Sequence, residues 1–76
     1  MAFKNLHDVI AENHMSVNSV AEAIGMSESS LRYKINRGSM SVEEAFRIHR
    51  LIFPRYSIFY LFESVEQSDD SSENAS

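Results

Sequence analysis

The sequence predicts an all-α fold, a compact bundle of four to five short helices, and three observations favour it. Apolar residues recur at offsets of three, four and seven in separate stretches, which is the period of one helix face. Serines precede most of these stretches, in the position of helix N-caps. The two glycines of the chain, Gly25 and Gly38, follow such stretches, where a residue without Cβ ends a helix at little cost.

Apolar faces indicate the first two helices. Phe3, Leu6 and Ile10 share one face of a helix of about eleven residues that ends near Asn13. Ser16 is the predicted N-cap of the second helix. The apolar or small residues of that helix are Val17, Val20, Ala21 and Ile24. Each helix is therefore expected to pack one face on a shared core.

A third helix, residues 28 to 37, is predicted after a sharp turn at Gly25, with Ser27 as its N-cap. Leu31 and Ile35 are its inward residues. Its opposite side consists of Ser29, Arg32, Tyr33 and Asn36, flanked by Ser30 and Arg37. These side chains can donate and accept hydrogen bonds at base edges and phosphates, so this side is predicted to be a contact face.

The fourth helix is predicted to begin at a capping box of Ser41 and Glu44 and to stop before Pro54. Its inner face consists of Ala45, Ile48 and Ile52, with Val42, Phe46 and Leu51 nearby. Ser57 is the predicted cap of a final short helix, residues 58 to 62. Residues 53 to 62 hold five of the eight aromatic residues of the chain. Two interpretations stay open: the rings close the end of the core, or some remain exposed as an interface.

Charge divides the chain into a domain, residues 1 to 62, and an acidic, serine-rich tail, residues 63 to 76, that is predicted to be disordered. The net charge is -4, but five of the 11 acidic residues lie in the tail. The domain therefore holds seven basic and six acidic residues, a net charge of +1. The tail is interpreted as a solvated terminus in preference to a segment that repels non-specific DNA or imitates phosphate.

Basic residues cluster in the second half of the domain. From Arg32 to Arg55 there are six basic residues and two acidic ones. This excess of positive charge is modest, and the affinity of the segment for a polyanion should fall as the salt concentration rises. Arg47 and Arg50 point away from the inner face of the fourth helix. They are expected to be solvated beside Glu43 or Glu44 in preference to contacting DNA.

Composition excludes several classes of protein. The absence of cysteine excludes disulfides and thiolate metal sites. No apolar run approaches the roughly 18 residues of a membrane span, so we expect a soluble, cytoplasmic protein without membrane contact. There is no glycine-rich phosphate loop and no Ser/His/Asp set at one site. We therefore expect no enzyme, no cofactor, no metal and no small-molecule substrate.

The stretch from Ser16 to Gly38 resembles a helix-turn-helix of the phage repressor and Cro type, the Xre-like family. The matching residues are Ala21, Gly25, Met26, Ser27, Leu31 and Gly38. The likeness covers residues 3 to 62. It implies a lambda-repressor-like fold and a transcriptional regulator that binds a double-stranded DNA operator sequence-specifically, in the bacterial host of a phage or prophage. Two departures are Val17, where many members carry glutamine, and Gly38, thirteen residues after Gly25 and one further than in commoner members.

The resemblance implies that the third helix enters the major groove as a recognition helix. Arg32 would pair with a guanine edge, Asn36 would read adenine or meet a phosphate, and Tyr33 would pack on a thymine methyl group or reach a phosphate. Contacts to bases or backbone are expected from Ser27, Ser29 and Ser30. Phosphate contacts are expected from Asn18, Lys34, Arg37 and Ser39.

Repressors of this type pair across their last helix, so the resemblance also implies a homodimer. The predicted interface residues are Phe53, Tyr56, Phe59, Tyr60 and Phe62. The alternative function is a protein-binding modulator that acts on a repressor or a host protein through this aromatic end. Low net basicity and the missing glutamine favour that alternative. The dependence of affinity on salt concentration distinguishes the two functions, because duplex binding weakens steeply with salt and binding through an aromatic interface does not.

Overall fold

Five helices make up the part of the chain that the computed structural model describes, residues 1–64. They are α1 (Lys4–Glu12), α2 (Val17–Ile24), α3 (Glu28–Arg37), α4 (Val42–Leu51) and α5 (Ile58–Leu61). No strand occurs within these residues, so the predicted all-α class is confirmed for them. The predicted tail lies outside the described residues from residue 65 onward. None of the described helices has both the length and the apolar character that crossing a membrane requires.

Serine side chains begin four of the five helices, at the positions that the sequence predicts. These N-caps are Ser16, Ser27, Ser41 and Ser57. At the start of α4 the Ser41 Oγ accepts a hydrogen bond from the Glu44 amide at 3.1 Å, and the Glu44 carboxylate accepts one from the Ser41 amide at 3.1 Å. This reciprocal pair is the predicted capping box. Each cap satisfies amide groups that the first turn of a helix leaves without a partner.

Glycines in the left-handed conformation end α2 and α3. Gly25 has φ +77° and Gly38 has φ +69°, values that cost a residue with a Cβ atom considerably more than glycine. Gly38 also lies against the N-terminal segment, where an added Cβ would stand 2.9 Å from the Cβ of Ala2. The second glycine is therefore required both by the backbone conformation and by a close approach.

The N-terminal segment closes the C-terminal end of α3. The Ala2 amide donates to the Asn36 carbonyl at 3.1 Å, and the Phe3 amide donates to the Ile35 carbonyl at 3.0 Å. These carbonyls belong to the last turn of α3, whose carbonyls have no partner within the helix itself. Ala2 and Phe3 are both buried. The segment therefore fixes the end of α3 from outside the helix.

All five helices contribute to one core. Its residues are Phe3, Leu6, Val9, Ile10, Val17, Val20, Ala21, Ile24, Leu31, Ile35, Ile48, Phe53 and Leu61. α2 packs against α3 and α4, and α5 packs against α1 and α4. α3 meets the core through Leu31 and Ile35, which leaves its remaining side chains available for other contacts.

Candidate nucleic-acid interface

The outer side of α3 is a continuous polar surface, which we call the α3 face. Leu31 and Ile35 are 0% and 2% exposed, and they alone of the residues in this helix are fully buried. The α3 face consists of Ser29, Arg32, Tyr33, Asn36 and Arg37, all of them exposed. The division into inner and outer sides is therefore the one that the sequence predicts.

Arg32 lies near the middle of this face and is held by a neighbour on the same helix. Its Nη2 stands 2.6 Å from the Glu28 Oε2, in an i,i+4 ion pair. Both side chains are about half exposed, at 53% and 43%. Exposed pairs of this kind contribute about 0 to 1 kcal/mol, so the guanidinium can exchange Glu28 for another acceptor at small cost.

Tyr33 and Arg37 form a second exposed pair one turn further along α3. The Arg37 Cζ lies 5.6 Å from the centroid of the Tyr33 ring. A cation over an exposed aromatic face contributes about 0.5 to 1 kcal/mol. The contact keeps a positive charge and a phenol hydroxyl together at the C-terminal half of the α3 face.

Lys34 occupies a different environment from the other basic residues of α3. Its Nζ lies 3.1 Å and 3.2 Å from the two carboxylate oxygens of Glu44, and the side chain is only 26% exposed. The hydrogen bond from the Ser41 backbone, followed by the contacts with Lys34, holds the pKa of Glu44 below its usual value of 4.5. Lys34 thus ties α3 to the first turn of α4. This contact was not foreseen for a residue predicted to meet phosphate.

The other residues that were predicted to contact DNA lie near the two ends of α3 or in the first turn of α2. The Ser27 Oγ is engaged as a cap by the Ser30 amide at 3.2 Å, and Ser30 itself is half-buried. Asn18 in the first turn of α2 and Ser39 after α3 are both exposed. Val17 is 7% exposed and fills the core. Val17 therefore offers no polar contact, whereas the neighbouring Asn18 is accessible.

Arg47 has a role that the sequence analysis missed. Its Nη2 donates to the Ile24 carbonyl at 2.8 Å, across the space between α4 and the last residue of α2. The expected pairing with Glu43 or Glu44 is therefore wrong for Arg47. Because Ile24 directly precedes Gly25, the guanidinium supports the turn between α2 and α3. No local pattern signals such a contact, since the two residues are 23 positions apart.

Comparison of the chain with protein-family models, curated proteins and solved structures finds no match. What the α3 face binds must therefore be inferred from its own geometry and charge. Among residues 1–64 no group of three or more His, Asp or Glu side chains stands close enough to hold a metal ion.

The predicted aromatic interface divides between core and surface. Phe53 is 3% exposed and belongs to the core, which corrects its assignment to a dimer interface. Tyr56 packs edge-on against Phe53, with ring centroids 5.8 Å apart. Phe62 packs in the same way on Phe3, with centroids 5.4 Å apart. Of the five residues, only Phe59 and Tyr60 are exposed, at 85% and 44%.

An open apolar groove of about 720 Å³ lies between α4 and α5. Its lining residues are Val42, Ala45, Phe46, Ile58, Phe59, Tyr60, Phe62 and Glu63. Val42 and Phe46 are 72% and 53% exposed, and neither was predicted to form a surface. A signal was present in the sequence, because these two apolar residues stand four apart and outside the inner face of α4.

Proposed function

We propose that the chain is a sequence-specific DNA-binding regulator of transcription. In this proposal α2, the turn at Gly25 and α3 form a helix-turn-helix of phage repressor and Cro type, and α3 enters the major groove of an operator. The observation that carries the proposal is the α3 face itself. A ten-residue helix that buries two side chains presents hydrogen-bonding groups along its whole outer side.

Helix dimensions support this role, because the major groove of B-DNA admits one α-helix with its side chains. Arg32 is central on the α3 face, and bidentate pairing of a guanidinium with guanine O6 and N7 is the commonest specific contact. Ser29 precedes it by one turn and Asn36 follows it by one turn. These three side chains lie on one line along the groove, with Arg32 as the principal reader of sequence.

Rigid support of α3 favours the same function. Contacts that specify bases require side chains held in a fixed position. Ser27 caps the start of α3, the amides of Ala2 and Phe3 bind its last turn, and Lys34 connects its middle to α4. Arg47 holds the turn before α3 in place through its hydrogen bond to the Ile24 carbonyl. The α3 face is thereby positioned by contacts from both ends and from the side.

Charge is sufficient for moderate affinity. Arg55 is exposed, and within residues 1–64 its side chain has no hydrogen bond or ion pair. Together with Arg37 it provides two cations for phosphate contacts in each chain, and four in a homodimer. With about four such contacts, affinity should fall about a hundredfold between 50 and 200 mM salt. The proposal includes a homodimer that acts in the cytoplasm of a bacterial host cell.

A binding selection from a random duplex pool tests this function, with the enriched duplexes measured again at low and high salt. We expect an enriched motif with two related half-sites and an affinity that falls steeply with salt. Retention without enrichment, or affinity that does not change with salt, would contradict sequence-specific binding.

The second candidate function is a protein-binding modulator, and the groove between α4 and α5 favours it. Contiguous exposed apolar surface commonly marks a protein interface. In that case the partner would cover Val42, Phe46 and Phe59, and complex formation would change little with salt. Pull-down with the Phe59→Ser variant as control separates this candidate from DNA binding, since Phe59 lies on α5 and outside the α3 face.

A further inference from the structure

The outer face of α4 combines apolar and charged side chains in an order that suits self-pairing. At 100° per residue, Val42, Phe46, Arg50 and Glu43 fall within about 100° of one another around the helix axis. All four are exposed. The two apolar residues are flanked by a carboxylate in the first turn and a guanidinium in the last turn. We call this set the outer α4 face.

The two charges of this face are unused within the described chain. Neither Glu43 nor Arg50 makes a side-chain hydrogen bond or ion pair among residues 1–64. The neighbouring charged residues of α4 do have partners within the chain. Glu44 pairs with Lys34, and Arg47 donates to the Ile24 carbonyl. The outer α4 face thus carries one unpaired charge of each sign, about 10 Å apart along the axis at 1.5 Å per residue.

We propose that the outer α4 face pairs with the same face of a second copy of this chain, with the two α4 helices antiparallel across a two-fold axis near Phe46. A two-fold interface uses the same patch on both copies, so the patch must be complementary to itself. In this arrangement Glu43 of one copy faces Arg50 of the other, and the contact occurs twice. The two Phe46 rings meet at the axis.

The exposed apolar area fits a dimer of low affinity. Phe46, Phe59 and Tyr60 are 53%, 85% and 44% exposed. With about 150 to 250 Å² for each aromatic side chain, these rings alone present about 300 to 450 Å². A standard interface buries about 800 Å² on each partner and weak ones bury less than about 600 Å². When Val42 and the charged residues beside the rings are added, the exposed area approaches about 600 Å² on each partner.

The C-terminal residues of the chain do not suit the apolar groove beside this face. Residues 65 to 76 contain one valine, one alanine and otherwise polar or acidic residues, so this segment has no ring or long apolar side chain to fill the groove. Phe59, which protrudes beside the groove on α5, supplies such a ring when it comes from a second copy.

The pairing leaves the α3 face uncovered. Glu44, the residue of α4 that contacts Lys34 of α3, lies about 160° around the helix from Phe46. A partner on the outer α4 face is therefore on the side of α4 that points away from α3. The homodimer belongs to the proposed function, whereas the pairing surface and its antiparallel order go beyond that function and do not depend on DNA being the ligand.

Charge reversal tests the pairing through sedimentation velocity across a concentration series. In Glu43→Lys each contact sets a lysine against arginine, and in Arg50→Glu each sets two carboxylates together. We expect each variant alone to weaken dimerisation about tenfold or more, because like charges across an interface are strongly unfavourable. A mixture of the two variants restores opposite charges at both contacts and should form a heterodimer. The double variant should dimerise like the original chain.

Glu12→Lys on α1 is the matched control, since it makes the same charge change at an exposed site on another helix. It should dimerise like the original chain, and circular dichroism should show that every variant is folded. A monomeric original chain at high concentration overturns the proposal. So does a dimer that the single reversals leave intact, or a mixture that forms no heterodimer. A dimer that behaves as expected but selects no duplex would contradict the proposed DNA binding alone. A monomer that selects one duplex would contradict the pairing and the homodimer, and would leave sequence-specific DNA binding intact.

Discussion

At the scale of single residues, three cations of the domain are engaged within the chain to different extents. Arg32 has an exposed carboxylate partner on its own helix, Lys34 a half-buried one on α4, and Arg47 a backbone carbonyl on α2. The cost of releasing each cation rises with burial and with the number of fixed partners. Of these three cations, Arg32 is consequently the one that is most readily transferred to an external acceptor.

Arg32→Ala should lower affinity for a selected duplex by about 1 to 3 kcal/mol and relax preference at one base position. Stability should change by no more than about 0.5 kcal/mol, because the side chain is exposed. Fluorescence anisotropy and urea unfolding measure the two effects. Glu28→Gln is the matched variant: it removes the internal competitor and should leave affinity equal or higher. Unchanged affinity in Arg32→Ala would contradict the assignment of this residue to a base.

Glu44 should make stability dependent on pH in the acid range. Its pKa in the folded chain is below the usual 4.5, chiefly because the Ser41 amide and Lys34 stabilise the carboxylate. A lowered pKa contributes stability that is present above the unfolded pKa and is lost as the pH falls through the folded pKa. The free energy of unfolding should therefore decrease below pH 4.5, and Glu44→Gln should show a smaller decrease. Urea titrations between pH 3 and 7 measure it.

The control for that experiment is Glu22→Gln. Glu22 is exposed on α2, and its side chain has no hydrogen bond or ion pair among residues 1–64. It should keep the pH dependence of the original chain. An identical acid dependence in Glu44→Gln and Glu22→Gln would contradict the role given to Glu44.

At the scale of the helices, their starts and ends could be predicted because the interactions that set them are local. A serine oxygen and the amide two or three residues later, or a glycine at positive φ, can be located from adjacent sequence alone. The contacts of Arg47 with Ile24 and of Ala2 with Asn36 could not be predicted in this way, since each joins residues that are distant in the chain. Such contacts depend on how the helices pack and on which rotamer reaches which carbonyl.

Alanine substitution of the two glycines that end α2 and α3 should distinguish two losses of stability, one from a left-handed backbone conformation and one from a steric clash. Gly25→Ala should lower stability by about 1 to 2 kcal/mol, the cost of a left-handed residue with a Cβ atom. Gly38→Ala should cost more, because its Cβ would also stand 2.9 Å from that of Ala2. Urea unfolding of both variants provides the comparison. Equal losses would show that the N-terminal segment is not held against α3.

Arg47→Met should lower stability by about 1 to 2 kcal/mol, because it removes a charged donor from the Ile24 carbonyl while keeping an unbranched chain. Loss of this support for the turn should also weaken duplex binding. Arg55→Met is the control, since Arg55 is exposed and its side chain has no hydrogen bond or ion pair among residues 1–64. Both variants lose one positive charge, so a difference between them in urea unfolding reports the contact. Equal behaviour would contradict the supporting role of Arg47.

At the scale of the whole molecule, the chain presents two surfaces of different chemistry. The α3 face is polar and basic, whereas the groove between α4 and α5 is apolar with charges at its rim. Sequence patterns identified the first surface because helix periodicity alone separates Leu31 and Ile35 from the polar side. They did not separate the aromatic residues, because Phe53 and Phe59 differ in burial only through the path of the chain after α4.

The most direct test of the central claim is a nuclear magnetic resonance titration of the ¹⁵N-labelled chain with the duplex enriched by selection. The proposed function predicts that the largest amide shifts occur between residues 27 and 39 and at Asn18, with small shifts at Val42, Phe46 and Phe59. Shifts concentrated in α4 and α5, or no saturable shift in α3, would contradict the claim that the α3 face binds DNA.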